Sequence, residues 1–139
     1  MPLIREALSA GRSVQFSPRG TSMLPMLRQG MDCVTLSPLP RRLRKYDLPL
    51  YRRDNGQYVL HRIIGVGESY TCMGDNQFEP ETGLTQEQMI AVVTFFSRNG
   101  KVYPVDSLCY RLYCRFWHYS SPVRRLWRRG IGCLRRLLK

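Results

Sequence analysis

Along the first three quarters of the chain, apolar residues recur at short intervals between turn signals, and the period then changes. Leu3, Ile4, Ala7 and Leu8 fall on one helical face behind Pro2, and Gly11 is a stop, so Pro2 to Ala10 is expected as a short helix. Met31 to Leu36 alternates loosely and runs into Ser37-Pro38-Leu39-Pro40, a loop, with Arg41 to Lys45 as a basic connector. Two hairpins follow. Residues 48–53 pass through Asp54-Asn55-Gly56 into a strand over 57–64, and residues 94–98 pass through Asn99-Gly100 into 101–105. Asn-Gly between alternating segments is the strongest short hairpin signal, because both residues tolerate positive φ. Gly65 to Glu68 turns the chain into a further strand at 69–73. The expected fold is mainly β. It is a small antiparallel domain over 12–105, with loops at 17–29 and 74–88, a short N-terminal helix and no internal repeat.

Beyond residue 106 the chain changes character. Val123, Leu126, Trp127, Ile131, Leu134 and Leu138 form a stripe, and Arg124, Arg125, Arg128, Arg129, Arg135 and Arg136 fill the other faces. This predicts a basic amphipathic helix, weakened by Gly130 and Gly132. Leu108 to Tyr119 before it is an aromatic-rich stretch. The chain therefore divides into a body, 1–106, and a tail, 107–139.

Charge sharpens that division. The tail carries nine basic groups and no acid, whereas the body carries thirteen basic groups against ten acids. Nineteen of the twenty-two cations are Arg, which favours phosphate and carboxylate partners through its planar fork. With 43% hydrophobic and 23% charged residues among 139, the chain has ordinary globular usage rather than that of a disordered segment. Its longest apolar stretch, Ile90 to Phe96, is too short to span a bilayer. The N-terminus lacks the basic start and long apolar core of a secretory signal, so a cytoplasmic or peripheral membrane location is expected. Five cysteines without a Cys-x-x-Cys pair point to isolated, mostly buried thiols, not to a metal site or disulfide framework, and no cofactor is expected. For the tail, two uses compete. One lays the apolar stripe on an anionic membrane surface; the other packs that stripe on the β domain and shows Arg to solvent. Nucleic acid is not the expected partner, because the charge is confined to the tail and no reader motif is present.

Three segments carry candidate chemistry. In Gly20-Thr21-Ser22-Met23-Leu24-Pro25, Pro25 excludes a helix through Ser22. The bend either presents the Ser22 hydroxyl, with local N–H groups free for an oxyanion, or is a plain turn. His61 lies in an apolar strand, as a core histidine or as a general base near neutrality. In Gly74-Asp75-Asn76, Asp75 either orients that imidazole or makes a turn, and Glu79 and Glu81 are further candidate acids.

Taken together, in order and with Ser22 and His61 39 residues apart, these segments resemble the motifs of the signal peptidase I family of serine endopeptidases. Gly20-Thr21-Ser22-Met23-Leu24-Pro25 is similar to its nucleophile segment, His61-Arg62-Ile63-Ile64-Gly65 to its second motif and Gly74-Asp75-Asn76 to its third. The self-cleaving repressor peptidases are resembled more faintly. The resemblance implies a small β fold and cleavage of peptides or preproteins by Ser22 as nucleophile. His61 would be the base, as in archaeal and endoplasmic-reticulum-type members, and Asp75 would orient it. Lys45 and Lys101 lie outside the matching motifs, which disfavours a Ser-Lys dyad. Gly20 stands where some bacterial members carry a Ser that helps hold the oxyanion, so backbone N–H groups, that of Ser22 first, are the expected donors, within the frame of Thr21, Met23 and Pro25. The rival expectation is a catalytically silent module that docks through its basic tail.

Overall fold

The computed structural model describes residues 2–138. Helix α1 (Pro2–Ser9) leads into β1 (Val14–Phe16), and after a long turn segment β2 (Cys33–Ser37), β3 (Pro49–Arg52) and β4 (Tyr58–Leu60) follow. Next come β5 (Arg62–Val66), β6 (Tyr70–Met73), β7 (Glu81–Leu84), a 3-10 turn at Gln86–Gln88, β8 (Met89–Arg98) and β9 (Lys101–Pro104). Helices α2 (Leu108–Tyr119) and α3 (Ser121–Leu137) close the chain. All strand pairs are antiparallel. One sheet has the order β1-β2-β8-β3-β4 with β9 paired to β8, and a second has the order β5-β6-β7.

Both faces of the central strands are covered, and this explains the apolar residues at 89–93, beyond which Phe95 is exposed. Leu50, Leu60, Ala91 and Val93 enter one core with Leu36, Leu48 and the side chains of Met23, Met26 and Leu27. Their neighbours Tyr51, Val59, Met89 and Val92 enter a second core, against Ile63, Tyr70, Cys72 and Leu84 of the smaller sheet. Period-2 alternation thus feeds two cores rather than one core and solvent. Each such Leu, Ile, Val or Met side chain contributes about 1.5–3 kcal/mol by leaving water.

The main antiparallel β assignment holds, as do the N-terminal helix and both Asn-Gly hairpins; Asn99 (φ 54°) and Gly100 (φ 77°) both take positive values, whereas in the first turn only Gly56 (φ 89°) does. Three local expectations change. The strand expected over 57–64 breaks at His61, where the chain leaves the large sheet and starts the small one. The loop at 74–88 contains β7, whose pairing places Glu81 opposite Cys72. The aromatic stretch at 108–119 is a helix capped by Ser107, whose side chain accepts from the Tyr110 N–H, and Tyr110 and Cys114 belong to the first core. Cysteines also depart from expectation. Cys72 and Cys114 are buried, but Cys33, Cys109 and Cys133 are exposed, because they fall on solvent-facing positions of β2, α2 and α3. Gly130 and Gly132 do not interrupt α3. Among the described residues no helix is long and apolar enough to cross a membrane.

Candidate active site

Between β1 and β2 the chain makes successive turns. Gly20 sits at φ 88°, where a side chain would be strained, and Leu24-Pro25 is a cis peptide. The Leu24 N–H donates to Thr21 O and the Leu27 N–H to Met23 O, while Met23, Met26 and Leu27 anchor the segment in the first core. Its base is fixed by Asp32, which is wholly buried and accepts from the Arg28 backbone N–H (2.8 Å), Nε (2.9 Å) and Nη2 (2.9 Å). The hydrogen bonds from the Arg28 side chain hold the Asp32 carboxyl below the usual range. Ser22 is left half-buried. Among the described residues, the N–H groups of Ser22 and Met23 have no acceptor, so both are free to face an oxyanion.

His61 and Ser22 line one cavity of about 230 Å³, together with Gly20, Met23, Arg53 and Gln77. No hydrogen bond joins the two side chains; the hydrogen-bond partner of the imidazole is Tyr51. The corner between the sheets buries His61, and its Nδ1 lies 3.2 Å from the Tyr51 hydroxyl. Tyr51 donates to Glu81 Oε1 at 3.1 Å, so its oxygen accepts from Nδ1–H, which leaves Nε2 as the basic nitrogen. Glu81 is itself gripped by the Arg53 guanidinium at 2.8 Å. Burial, then the Arg53 charge, pushes the His61 pKa down to about 4, so the imidazole is neutral across the physiological range. Burial also holds the Tyr51 hydroxyl protonated far above its ordinary range.

Asp75 does a different task from the one expected of it. It makes no hydrogen bond to His61. Instead its carboxylate grips the next residue, the buried Arg62, through Nε (2.8 Å) and Nη2 (2.9 Å), and accepts from Tyr113 at 2.9 Å. Arg62 spends its remaining donors on Tyr46 O, the Tyr110 hydroxyl, Cys114 Sγ and Met26 Sδ. The imidazole is instead hydrogen-bonded to Tyr51, which is held by Glu81. Glu79 is exposed and lies 3.5 Å from Arg125, remote from the imidazole in its contacts.

The residues either side of Asp75 clasp the segment that carries Ser22. The Asn76 N–H donates to Ser22 O (2.8 Å) and its Nδ2 to Thr21 O (3.1 Å). Gly74 passes so close that a Cβ there would sit 2.6 Å from Ser22 O. The three motifs are therefore one assembly: the second supplies the imidazole, the third ties the second to the first.

The C-terminal helices hold the third motif from outside. Trp117 Nε1 donates to Asp75 O at 2.6 Å, Arg124 reaches the same oxygen at 3.5 Å, and Arg128 bonds to the Asn76 side chain. Arg124 also stacks on Trp117, 3.7 Å above the ring centroid. The arginine side of α3 thus meets the body, and its apolar stripe faces solvent, with Leu126 71% and Trp127 70% exposed. This is the reverse of the packing in which the stripe lies on the β domain. Arg129, Arg135 and Arg136 remain exposed.

Tyr51 and Arg53 escaped the sequence reading. The available signal was a tyrosine at an inward strand position, whose hydroxyl needs a partner when buried. Among the described residues no group of three or more His, Cys, Asp or Glu side chains is placed to hold a metal ion. Compared with known proteins, the chain matches no family model, and no curated protein matches it.

Proposed function

We propose that the chain is a serine endopeptidase acting on peptides or preproteins, with Ser22 as nucleophile and His61 as general base. Ser22 Oγ attacks the scissile carbonyl as its proton passes to His61 Nε2. The N–H groups of Ser22 and Met23 face the developing oxyanion, and the imidazolium returns its proton to the departing amine. Water then releases the acyl group by the same base. Tyr51, backed by Glu81 and Arg53, fixes the tautomer that leaves Nε2 basic. The observation that carries the reading is the shared cavity of Ser22 and His61, residues 39 apart in sequence, with Asn76 clamping the backbone of the serine.

The direct test is cleavage of a peptide library by wild type and Ser22→Ala. Turnover should vanish in the variant; undiminished cleavage would defeat the assignment. A second readout is the pH profile. With a base near pH 4, kcat/KM should rise with pH through about 4 and stay level through 7. An acid limb near 6.5 would show an imidazole in an environment other than this one.

The outward apolar stripe of α3 favours a membrane-surface setting for this activity, with Arg129, Arg135 and Arg136 among the headgroups. The same observation supports the rival reading, a silent module docked by its tail. Vesicle binding by a wild-type protein that cleaves nothing would select the rival.

A further inference from the structure

A second cavity, of about 510 Å³, opens between the 40–48 segment and α2, and shares no lining residue with the cavity of Ser22 and His61. Five cations line it: Arg42, Arg44 and Lys45 from the segment, and Arg111 and Arg115 from α2. All five are exposed, and among the described residues none forms an ion pair. Two acids also border the cavity, Asp47 and Asp106. Asp47 is already engaged, accepting from the Arg44 backbone N–H at 2.7 Å. The lining therefore carries an excess of three positive charges over a floor containing the buried Leu48, Tyr110 and Cys114.

Gathering like charges around a concavity costs free energy unless something neutralises them, and low-dielectric walls focus the resulting field. Planar guanidinium forks match tetrahedral phosphate oxygens better than they match single-point acceptors. We infer that this cavity is a phosphate-binding site, taking a phosphate ester or a diphosphate. The inference is independent of the peptidase reading. One further feature bears on the source of the phosphate. Leu108 and Leu112, 72% and 57% exposed, lie outside the lining but at helical spacing beside Arg111 and Arg115 on α2, so an apolar rim adjoins the cations. A phosphate with an attached acyl chain, as in an anionic phospholipid, satisfies the cations and the rim together; a soluble phosphate satisfies the cations alone.

The test uses the full chain with two probes, inorganic pyrophosphate followed by calorimetry and phosphatidylglycerol vesicles followed by sedimentation. Arg44→Glu/Arg111→Glu is compared with Arg135→Glu/Arg136→Glu, which alters α3 by the same charge. The site variant should bind at least tenfold more weakly than wild type, and the α3 variant should keep its pyrophosphate affinity. Weakening towards vesicles beyond that of Arg135→Glu/Arg136→Glu, with or without pyrophosphate, assigns a lipid headgroup. Weakening towards pyrophosphate alone assigns a soluble phosphate ligand. Binding of neither probe by wild type overturns the site, as does binding that survives Arg44→Glu/Arg111→Glu. Because the substituted residues are exposed, both variants should melt with wild type, and Arg42→Glu/Arg115→Glu provides a second pair if one does not.

Discussion

The β body and helix α3 are built from the same residue types turned in opposite directions. In the body, Leu36 is fully buried and Arg62 is only 2% exposed, its charge matched by Asp75 and its other donors taken by carbonyl, hydroxyl and sulfur. In α3, leucine and tryptophan face solvent while Arg124 and Arg128 face the protein. Burial of apolar area therefore holds the body, and polar ties hold the helix. Ties of the second kind, a stacked guanidinium and a few carbonyl bonds, are each weak in water. A helix so mounted keeps its apolar side available for another medium, and it does so while touching the motif that clamps Ser22.

If that contrast is right, the largest stability effect sits at the buried pair. Asp75→Ala leaves the Arg62 charge buried and unmatched, and should lower the unfolding free energy by about 3–5 kcal/mol in urea titrations. A joint Arg62→Met/Asp75→Leu replacement should be milder than Asp75→Ala alone. A loss below about 1 kcal/mol for Asp75→Ala would show that the body's polar centre is as loosely held as α3.

A second large effect belongs to His61, which has no counterpart in α3. Its folded pKa of about 4 lies below the unfolded value near 6.5, so the unfolded chain binds the proton more readily. Stability is then full above pH 6.5 and falls as pH drops towards 4, by about 3 kcal/mol for this residue. Chemical denaturation at pH 7 and pH 4 should show the drop in wild type and a smaller one in His61→Gln. Equal drops would place the acid sensitivity elsewhere.

The clamp on Ser22 comes next in size. Gly74→Ala brings a Cβ to 2.6 Å from Ser22 O, a backbone atom that must move. Peptide cleavage should fall at least tenfold while the melting temperature drops by only a few degrees. A variant with wild-type turnover would mean that the Ser22 backbone can shift without consequence.

How much of this was legible depends on the range of the interactions. Asn99-Gly100 announced its hairpin because the turn chemistry is local, and Pro25 kept Ser22 out of a helix for the same reason. The break at His61 gave no signal, since residues 57–64 contain neither Gly nor Pro and the change of sheet is imposed by tertiary packing. β7 offered only Leu84 as an apolar marker. In α2 two stripes compete, Tyr110, Tyr113, Cys114 and Trp117 against Leu108, Leu112 and Phe116, and periodicity cannot choose which one is buried. The candidate site divides similarly. Its serine and histidine lie in recognisable motifs, but the partner of His61 comes from β3 and β7, strands that only the fold brings together.

The smallest expected effect on stability is the sharpest test of the comparison. Leu126→Ser/Trp127→Ser/Leu134→Ser removes three large apolar side chains, all more than half exposed and grouped on one face of α3. Since they bury little in the folded protein, unfolding free energy should change by no more than about 0.5 kcal/mol, whereas the single core change Leu36→Ala should cost about 2–5 kcal/mol. Sedimentation with phosphatidylglycerol vesicles should reverse the ranking, with at least tenfold weaker partitioning for the triple variant and wild-type partitioning for Leu36→Ala under folding conditions. Arg124 and Arg128 are untouched, so the polar ties to Asp75 and Asn76 remain and cleavage in the absence of vesicles should be unchanged. A triple variant that unfolds readily would show the stripe to be covered within the protein. Undiminished vesicle binding would leave the outward turn of α3 without a membrane to explain it.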